Sequence, residues 1–516
     1  MGLTSGNPRI SDITRQSLKN NLLKLECHFT WAVFKEEIDI EKIEGRVHDQ
    51  IAYLPSTLRD RLHHLLAYTS YLKGDNEEAI RQLQKAEEHL QGTQSADKAE
   101  EHLQGTQSAD VDIKRAVIYS NYAWLFYHSN QLSKAQSYLE KVEAIYKKFE
   151  SSPEHDVLLT EIFGEQAWAL LTLYGKSPER AKKCFEKVLV LDPDNPELNS
   201  GYAIVMYRLE CEDNRVYATN KCKSIELLKR AVTLNEDDTV IKALLALKYL
   251  YLGQPEIGGK ILEEALRQTP DSPYLLRYAG KFYRSEGRVD YAISILKKAL
   301  NQTPTSSSLH QQIGLCYKQK MKMLIKSAKT AKSCYQPTNT YTSDINKAIS
   351  SAVFHFEKAI ELQEIVVNVY IELAFMYAKG TQFKKAEDIF QKALKLRNLT
   401  CEEKQEIHFR YALFQQHELK SESEAIRHYK EVLLIPNKTR VRSYSKNNLK
   451  DLAENKISNY PSDATGFGLL GFIYQQDAID EREFKQATDY YEKALELDPD
   501  NKDYLSVLHC MSKMSC

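Results

Sequence analysis

The sequence predicts an all-α fold built as a solenoid of repeated helix pairs, and three observations lead to this prediction. Glycine and proline are scarce, with 19 and 14 among 516 residues, whereas residues that favour helices, such as Ala, Leu, Glu and Lys, are abundant. A pattern of small and large apolar residues recurs at intervals of about 34 residues. With 42% hydrophobic residues, the chain can also fill an extended core.

The recurring pattern is clearest between residues 276 and 304. Small residues let two helices approach, large residues fill the space between neighbouring pairs, and proline stops the second helix. These roles fall to Gly280, Tyr283, Ala292, Leu296, Ala299 and Pro304. Such a helix–turn–helix unit is the tetratricopeptide repeat, of which we count about ten copies. Because these units bury their apolar faces only by stacking, we expect a superhelical solenoid with extra helices and a concave inner groove or tunnel.

Other copies of the repeat are recognised by residues at the same positions. A second full unit contains Ala374, Tyr377, Ala386, Phe390 and Ala393. We divide the chain into three parts: N-terminal helices and first repeats at 1–150, central repeats that line the expected groove at 151–360, and C-terminal repeats at 361–516.

Three segments interrupt the repeat pattern. The first is KAEEHLQGTQSAD, which stands at 85–97 and again at 98–110. Because thirteen residues rotate a helix by about 220° net, the two copies cannot share one face, and we predict an extended loop. The second, 318–351, begins with a lysine-rich run that precedes a predicted loop rich in Ser, Thr, Asn and Tyr. The third, 436–456, is basic, and such charge runs are either solvated or line a groove.

Charge and cysteine content restrict the function. The chain has 70 basic and 71 acidic residues, so any site for a polyanion must be concentrated locally. Its nine cysteines show no CxxC pair or zinc spacing, and we expect reduced thiols, no metal site and no cofactor. No apolar run approaches the ~18 residues of a membrane span and the N-terminus lacks signal-peptide features, so we expect a cytoplasmic protein without membrane contact.

The stretch PYLLRYAGKFYR, at 273–284, carries two kinds of residues on one helix. At 100° per residue, the packing residues Leu276, Ala279, Gly280 and Tyr283 cluster on one side. The opposite side presents Tyr274, Arg277, Tyr278 and Lys281, with Arg284 beside them, and packing does not account for this set. The first helices of tetratricopeptide pairs line the concave wall. Cations neutralise phosphates and aromatic rings stack on bases, so the stripe suits single-stranded nucleic acid. Local packing within a solvated face is the alternative.

The chain resembles the interferon-induced protein with tetratricopeptide repeats family. The matching segments run almost from end to end, and one of them, ECHFTW at 26–31, is not a tetratricopeptide consensus element. The others include LLAYTSYLKGDNEEA at 65–79, YAWLFYH at 122–128, WALL at 168–171, RAKKCFEKVL at 180–189, RYAGKFYR at 277–284 and PTSSSLHQQIGLCYK at 304–318.

This resemblance implies an interferon-induced antiviral effector of innate immunity in the cytosol. RNA-binding members of the family hold the 5′ end of single-stranded RNA in a positively charged tunnel. They recognise a 5′-triphosphate or an incompletely methylated cap and block translation of foreign RNA. The family also assembles with its own members, so we expect homo- or hetero-oligomers through C-terminal repeats.

Carried over residue by residue, the resemblance implies an RNA-binding set that includes the stripe. Arginines would act as forked donors to phosphates or bases, Trp168 would stack on the cap or first base, and Gln50 would bond the terminal phosphates. The full set is Arg46, Gln50, Trp168, Arg208, Tyr274, Arg277, Tyr278, Lys281, Arg284, Gln311 and Gln312.

Four positions depart from the family's pattern. Thr172 and Pro178 stand where RNA-binding members often carry a lysine and a tyrosine, Val240 replaces an aromatic residue, and Gln311 replaces histidine. Fewer cations weaken triphosphate binding in particular. The choice between triphosphate and cap stays open on the sequence alone.

The sequence also bears on two other classes of function. We expect no enzyme, because the sequence lacks a Gly-rich phosphate loop, HExxH and GxSxG, and because adjacent helical residues such as Cys27 and His28 point about 100° apart. A tetratricopeptide scaffold for protein–protein interaction in innate immunity, without binding of RNA 5′ ends, remains the alternative.

Overall fold

The structure is a computed structural model, and it describes residues 10–31, 40–51, 56–97, 106–150, 155–173, 178–212, 222–333, 339–363, 367–397, 399–477 and 481–514. These residues form 24 helices and no strand. The helices are α1 (Ile10–Leu22), α2 (Ile40–Ile51), α3 (Ser56–Lys73), α4 (Asn76–Asp97), α5 (Thr106–His128), α6 (Leu132–Phe149), α7 (His155–Leu173), α8 (Glu179–Leu191), α9 (Pro196–Glu212), α10 (Ser224–Leu234), α11 (Thr239–Tyr251), α12 (Pro255–Gln268), α13 (Pro273–Glu286), α14 (Val289–Gln302), α15 (Ser307–Ser333), α16 (Asn339–Leu362), α17 (Val367–Lys379), α18 (Phe383–Leu394), α19 (Cys401–His417), α20 (Glu422–Leu434), α21 (Arg440–Asn459), α22 (Ala464–Asp477), α23 (Glu481–Leu497) and α24 (Lys502–Met514).

The chain folds as two compact units, Met1–Gln312 and Ile313–Cys516. In the first unit, consecutive helices pack as antiparallel pairs from α3 with α4 to α13 with α14. In the second unit, α17 packs on α18, α19 on α20, and α22 on α23. The predicted all-α repeat architecture is therefore confirmed. The three-part division at 150 and 360 stays a prediction.

The α13/α14 pair shows why the sequence folds this way. The Ser272 hydroxyl accepts a hydrogen bond from the backbone N–H of Leu275, 3.4 Å away, and caps the start of α13. Gly287 ends the helix with φ of 94°, a conformation that glycine adopts without strain. A Cβ on Gly280 would lie 2.5 Å from Cγ of Leu296, so only glycine allows this close approach.

The predicted packing residues of both full repeats are confirmed. In the first unit the α13/α14 pair buries Leu276, Ala279, Gly280, Tyr283, Ala292, Leu296 and Ala299. In the second unit the α17/α18 pair buries Ala374, Tyr377, Ala386, Phe390 and Ala393.

The predicted loop at the tandem copy is wrong where the structure describes it. The first copy, 85–97, continues α4 to its end, and residues 106–110 of the second copy begin α5; residues 98–105 lie outside the described residues. Most residues of the copy are good helix formers, and a single glycine costs only about 1 kcal/mol. Ala86 and Leu90 also pack into the core, which holds this part of the helix in place.

The predicted loop within 318–351 is also helical where it is described. The lysine-rich run lies in α15, and α16 begins at Asn339. Polar residues with low helix propensity fill the start of α16, but Ala348, Ile349 and Ala352 bury an apolar face in the second unit. Tertiary packing of that face outweighs local propensity. The basic segment 436–456 lies largely within another helix, α21.

None of the helices in the described ranges is both long enough and apolar enough to cross a membrane.

Candidate nucleic-acid interface

The stripe lies on α13 as the sequence predicts. Tyr274, Arg277, Tyr278, Lys281 and Arg284 are all half-buried, whereas the packing residues on the other side of the helix are fully buried. The stripe residues are therefore partly accessible from outside the core.

Arg277 contacts two aromatic rings. Its guanidinium carbon is 4.6 Å from the centre of the Tyr274 ring and 4.9 Å from that of Tyr278, and these two rings meet edge to face at 5.5 Å. One guanidinium nitrogen also donates to the Ser308 hydroxyl, 3.3 Å away on α15. The expectation that stripe residues have no packing role is wrong for Tyr278, which also packs against the apolar cluster that includes Tyr207 and Leu244.

Arg284 joins the stripe to the following helix. Its Nη2 donates to Oε1 of Gln312, 3.4 Å away, and its Nε is buried without a hydrogen-bond partner among the described residues. Gln311 is half-buried beside Gln312 on α15. A buried donor without an acceptor is costly, so this position favours a ligand that supplies an oxygen.

Arg208 is brought close to the stripe from α9. Burial raises the pKa of Tyr278 to about 12, the neighbouring Tyr274 contributes to this rise, and the charges of Arg277 and Arg208 act against it. Arg208 donates to the backbone carbonyl of Leu171, 3.0 Å away on α7. Two predicted site arginines therefore act on the same tyrosine.

Trp168 lies on α7, one turn before the Arg208 contact. Its ring is half-buried and meets Phe185 edge to face at 5.7 Å, and its Nε1 is buried with no partner among the described residues. A Cβ on Gly201 of α9 would lie 3.0 Å from Cζ2 of Trp168, so one edge of the indole is packed. Packing thus accounts for part of this ring and leaves the remainder for a ligand.

Two predicted site residues, Arg46 and Gln50, lie on α2, and their side chains are outside the described residues. On the same helix, Ile43 and Val47 are buried in the core of the first unit.

The positions that depart from the family's pattern add no charge to the site. The Thr172 hydroxyl donates to the backbone carbonyl of Trp168, 2.9 Å away. Pro178 is buried at the start of α8, and Val240 is half-buried in the first turn of α11. The described cations of the site in this unit are therefore those of α9 and α13.

Sequence reasoning missed a buried ion pair beneath this region. Lys248 of α11 is fully buried, and its Nζ lies 2.5 Å from Oε2 of Glu210 on α9. Burial alone would raise the pKa of Glu210, but hydrogen bonds from Lys248 and Ser224 hold it below the ordinary value. Lys248 stands within an apolar stretch, and only the pairing of helices far apart in sequence reveals its partner.

A second buried charge network was also missed. Arg61 of α3 forms ion pairs with Glu161 of α7, at 2.7 Å, and with Glu197 of α9. His64 Nδ1 lies 2.6 Å from Oε1 of Glu165, and both side chains are buried. Burial opposes the charged imidazole, yet the Glu165 carboxylate holds the pKa of His64 above its ordinary value. The network links α3 to α7 and α9, the helices that carry Trp168 and Arg208.

The lysine-rich run in the second unit divides into two groups. Lys318 is half-buried, forms an ion pair with Glu372 and lies 4.8 Å from the Phe375 ring centre. Lys322 and Lys326 are exposed. Lys322 and Lys326 therefore belong to a solvated face, whereas Lys318 has a packing role.

The arrangement on α13 is suited to binding a ligand that carries phosphates and flat rings. Among the residues that the structure describes, no group of three or more His, Cys, Asp or Glu side chains can hold a metal ion. What the stripe presents is forked cations between aromatic rings, which suits phosphates and bases.

Comparison with known proteins identifies the repeats and the relatives. Tetratricopeptide-repeat family models match residues 244–307 and 478–501. The chain is 41% identical over 485 residues to the human antiviral innate immune response effector IFIT1, covering 94% of this chain and 96% of that protein, and the Macaca fascicularis protein of the same name is equally similar. Human interferon-induced protein with tetratricopeptide repeats 2 is 35% identical over 492 residues, covering 94% and 97%.

Solved structures of similar proteins contain RNA. A monomeric mutant of IFIT1 with Gppp-AAAA matches at a TM-score of 0.75 and 40% identity, over 93% of this chain and all of that chain. Human IFIT1 dimers with PPP-AAAA and with m7Gppp-AAAA match at TM-scores of 0.71 and 0.73, with 39% and 40% identity, over 94% of this chain and all of those chains. The resemblance drawn from ECHFTW and the other segments is confirmed, and the chain belongs to the interferon-induced protein with tetratricopeptide repeats family.

Proposed function

We propose that this protein captures the 5′ end of single-stranded foreign RNA, bearing a 5′-triphosphate or an incompletely methylated cap, and thereby blocks its translation. It acts as an interferon-induced antiviral effector in the cytoplasm. The observation that carries the proposal is the contact of the Arg277 guanidinium with the rings of Tyr274 and Tyr278. This contact combines a forked phosphate donor with two aromatic rings.

Three further observations support this function. Arg208 of α9 lies close enough to oppose the rise in the pKa of Tyr278, so a cation from a second helix stands within electrostatic range of the stripe. The buried Nε of Arg284 has no hydrogen-bond partner in the described part of the chain, which favours an incoming oxygen acceptor. The relatives with 39–40% identity were solved with PPP-AAAA and with m7Gppp-AAAA, which are 5′ ends of the proposed kind.

The protein acts by binding and not by catalysis in this proposal. It also assembles with itself or with family members, because human IFIT1 was solved as a dimer with RNA. The RNA site can be tested independently of the assembly surface, by measuring RNA binding to the monomeric protein.

The experiment compares one short RNA that carries a 5′-triphosphate, an unmethylated cap, a fully methylated cap or a 5′-hydroxyl. Fluorescence anisotropy of each RNA with the purified protein gives four dissociation constants, and we expect the 5′-hydroxyl to bind weakest. Affinity should fall as salt concentration rises, because binding releases counterions from the phosphates and this release is less favourable when the bulk salt concentration is high. Translation of the same four RNAs in a cell-free extract then tests the block.

Arg277→Glu should abolish the preference among 5′ ends. Arg288→Glu is the matched control, since Arg288 also contacts two tyrosine rings, at 4.8 and 4.7 Å, but these rings belong to the packing side of α13 and to α14. Equal, weak binding of all four RNAs by the wild type and by both variants would refute this function and favour the protein-interaction scaffold.

A further inference from the structure

Tyr251 stands at the C-terminal end of α11, next to the stripe but outside the residues assigned to it. Its side chain is 42% exposed, and the Lys281 ammonium lies 5.6 Å from the centre of its ring. Lys281 is itself a residue of the stripe. Tyr251 therefore extends the stripe from α13 onto the preceding repeat.

The surroundings of Tyr251 place it beside other rings of the site. Burial raises the pKa of the Tyr207 hydroxyl, and the nearby Cys211, Tyr251 and Tyr278 raise it further. Tyr251 and Tyr278 are thus both within electrostatic range of the Tyr207 hydroxyl. Rings and cations thus alternate across two helices: a tyrosine pair around one arginine on α13, and then the lysine that lies against Tyr251.

Packing explains Tyr251 less well than it explains its neighbours. Tyr249, two residues earlier, and Tyr278 both pack against the apolar cluster of α9, α10 and α11. Tyr251 is exposed, whereas Tyr249 and Tyr278 are half-buried. An exposed aromatic ring with a cation on one face is a ready surface for a flat ligand.

We propose that Tyr251 is a base-stacking residue for a nucleotide of the bound RNA and that Lys281 contacts a phosphate beside that base. This inference rests on the proposed function and deepens it, because it adds a contact along the strand to those at the 5′ end. Grooves for single strands combine cations that follow the backbone with aromatic rings that accept any base. Tyr251 thereby contributes affinity without selecting the base or the 5′ end.

The test compares Tyr251→Ala and Tyr251→Phe with the wild-type chain. We expect the alanine variant to bind 5′-triphosphate RNA about fivefold more weakly, the lower end of the range for base–aromatic stacking, because the ring is partly exposed. The phenylalanine variant keeps the ring and should bind as the wild type does. Tyr291→Ala is the control: Tyr291 is 44% exposed and lies 4.7 Å from the Arg288 guanidinium carbon, but it is on α14.

A walk of abasic nucleotides along the RNA identifies the stacked base. In the wild type one abasic position should weaken binding by about fivefold, and the same position should have no further effect in Tyr251→Ala. Lys281→Met should reduce the slope of log affinity against log salt by about 0.7, the value for one phosphate contact on a single strand.

The same measurements on a 5′-hydroxyl RNA separate the two proposals. If Tyr251→Ala binds both RNAs as tightly as the wild type does, the stacking role is wrong, whatever the 5′-end preference. If the wild type does not distinguish the two RNAs while Tyr251→Ala weakens both, 5′-end capture is wrong and stacking stands.

Discussion

Replacing Arg277 by methionine removes the charge from the centre of the site while keeping a long side chain. One guanidinium nitrogen donates to Ser308 at 3.3 Å, and an arginine side chain carries five N–H donors in all. A hydrogen bond to a charged group contributes about 1.5–3 kcal/mol. Loss of one phosphate contact should therefore weaken RNA binding by about 10- to 150-fold.

The assay is fluorescence anisotropy of a 5′-triphosphate RNA at several salt concentrations. Since each phosphate contact on a single strand contributes about 0.7 to the slope of log affinity against log salt, the Arg277→Met slope should be shallower by that amount. Arg288→Met controls for the loss of a cation between two tyrosines, because Arg288 lies 4.8 and 4.7 Å from the Tyr283 and Tyr291 ring centres. The control should leave both affinity and slope unchanged.

Stability must be measured beside affinity. Each cation–π contact at a partly exposed site contributes about 0.5–1 kcal/mol, so both variants should lower the unfolding temperature slightly and to a similar extent. If Arg277→Met keeps the wild-type affinity and salt slope, then Arg277 serves only to pack its two tyrosines. An equal loss of RNA binding in both variants would point to a general loss of structure instead.

Three further predictions concern charge. Thr172→Lys should tighten binding of 5′-triphosphate RNA and steepen the slope of log affinity against log salt by about 0.7. In the wild type the threonine hydroxyl bonds to its own helix and supplies no cation. An unchanged slope would place position 172 away from the phosphates. Glu210→Ala leaves the buried Lys248 ammonium without this carboxylate and should destabilise the fold by about 3–5 kcal/mol in thermal unfolding, whereas Glu210→Met combined with Lys248→Met should recover most of the loss. The His64–Glu165 pair stabilises the fold most at mildly acidic pH. The pKa of His64 is raised, so its contribution is fully present below the ordinary histidine pKa and disappears as pH rises through the raised pKa, whereas the lowered pKa of Glu165 means that the contribution of the carboxylate is lost at low pH. The unfolding temperature of the wild type should fall as pH rises through the raised pKa of His64, and Glu165→Gln should flatten this change.

The repeat pattern predicted the fold where packing positions recur at fixed spacing. Gly280 packs directly against Leu296. The two helices approach so closely there that a Cβ would not fit, and this is why the repeat has glycine at that position. The start of α16 and the copy at 85–97 were predicted as loops because local propensity and rotation were weighed alone. Their helices depend on buried residues such as Leu90 and Ile349, whose partners lie elsewhere in the chain.

The site could be predicted only as far as one helix extends. The wheel of α13 correctly separated Arg277 from the packing side, because both belong to a single regular element. It could not show that Arg208 bonds a carbonyl on α7, or that Glu210 pairs with Lys248. Such contacts join helices of different repeats, and no local pattern encodes them. The roles of the predicted RNA-binding residues stay predictions until binding is measured.

The contacts of Arg277 with Tyr274 and Tyr278 restrict where a bound phosphate can lie. A free arginine side chain carries about 2 kcal/mol of rotamer entropy, which an incoming phosphate would have to restrict. Tyr274, Tyr278 and Ser308 already restrict it, so the guanidinium is preorganised and a phosphate at the right place binds with little entropic cost. The same rigidity prevents the side chain from following a displaced phosphate. Such a site favours RNA ends that place a phosphate within reach of the fixed guanidinium.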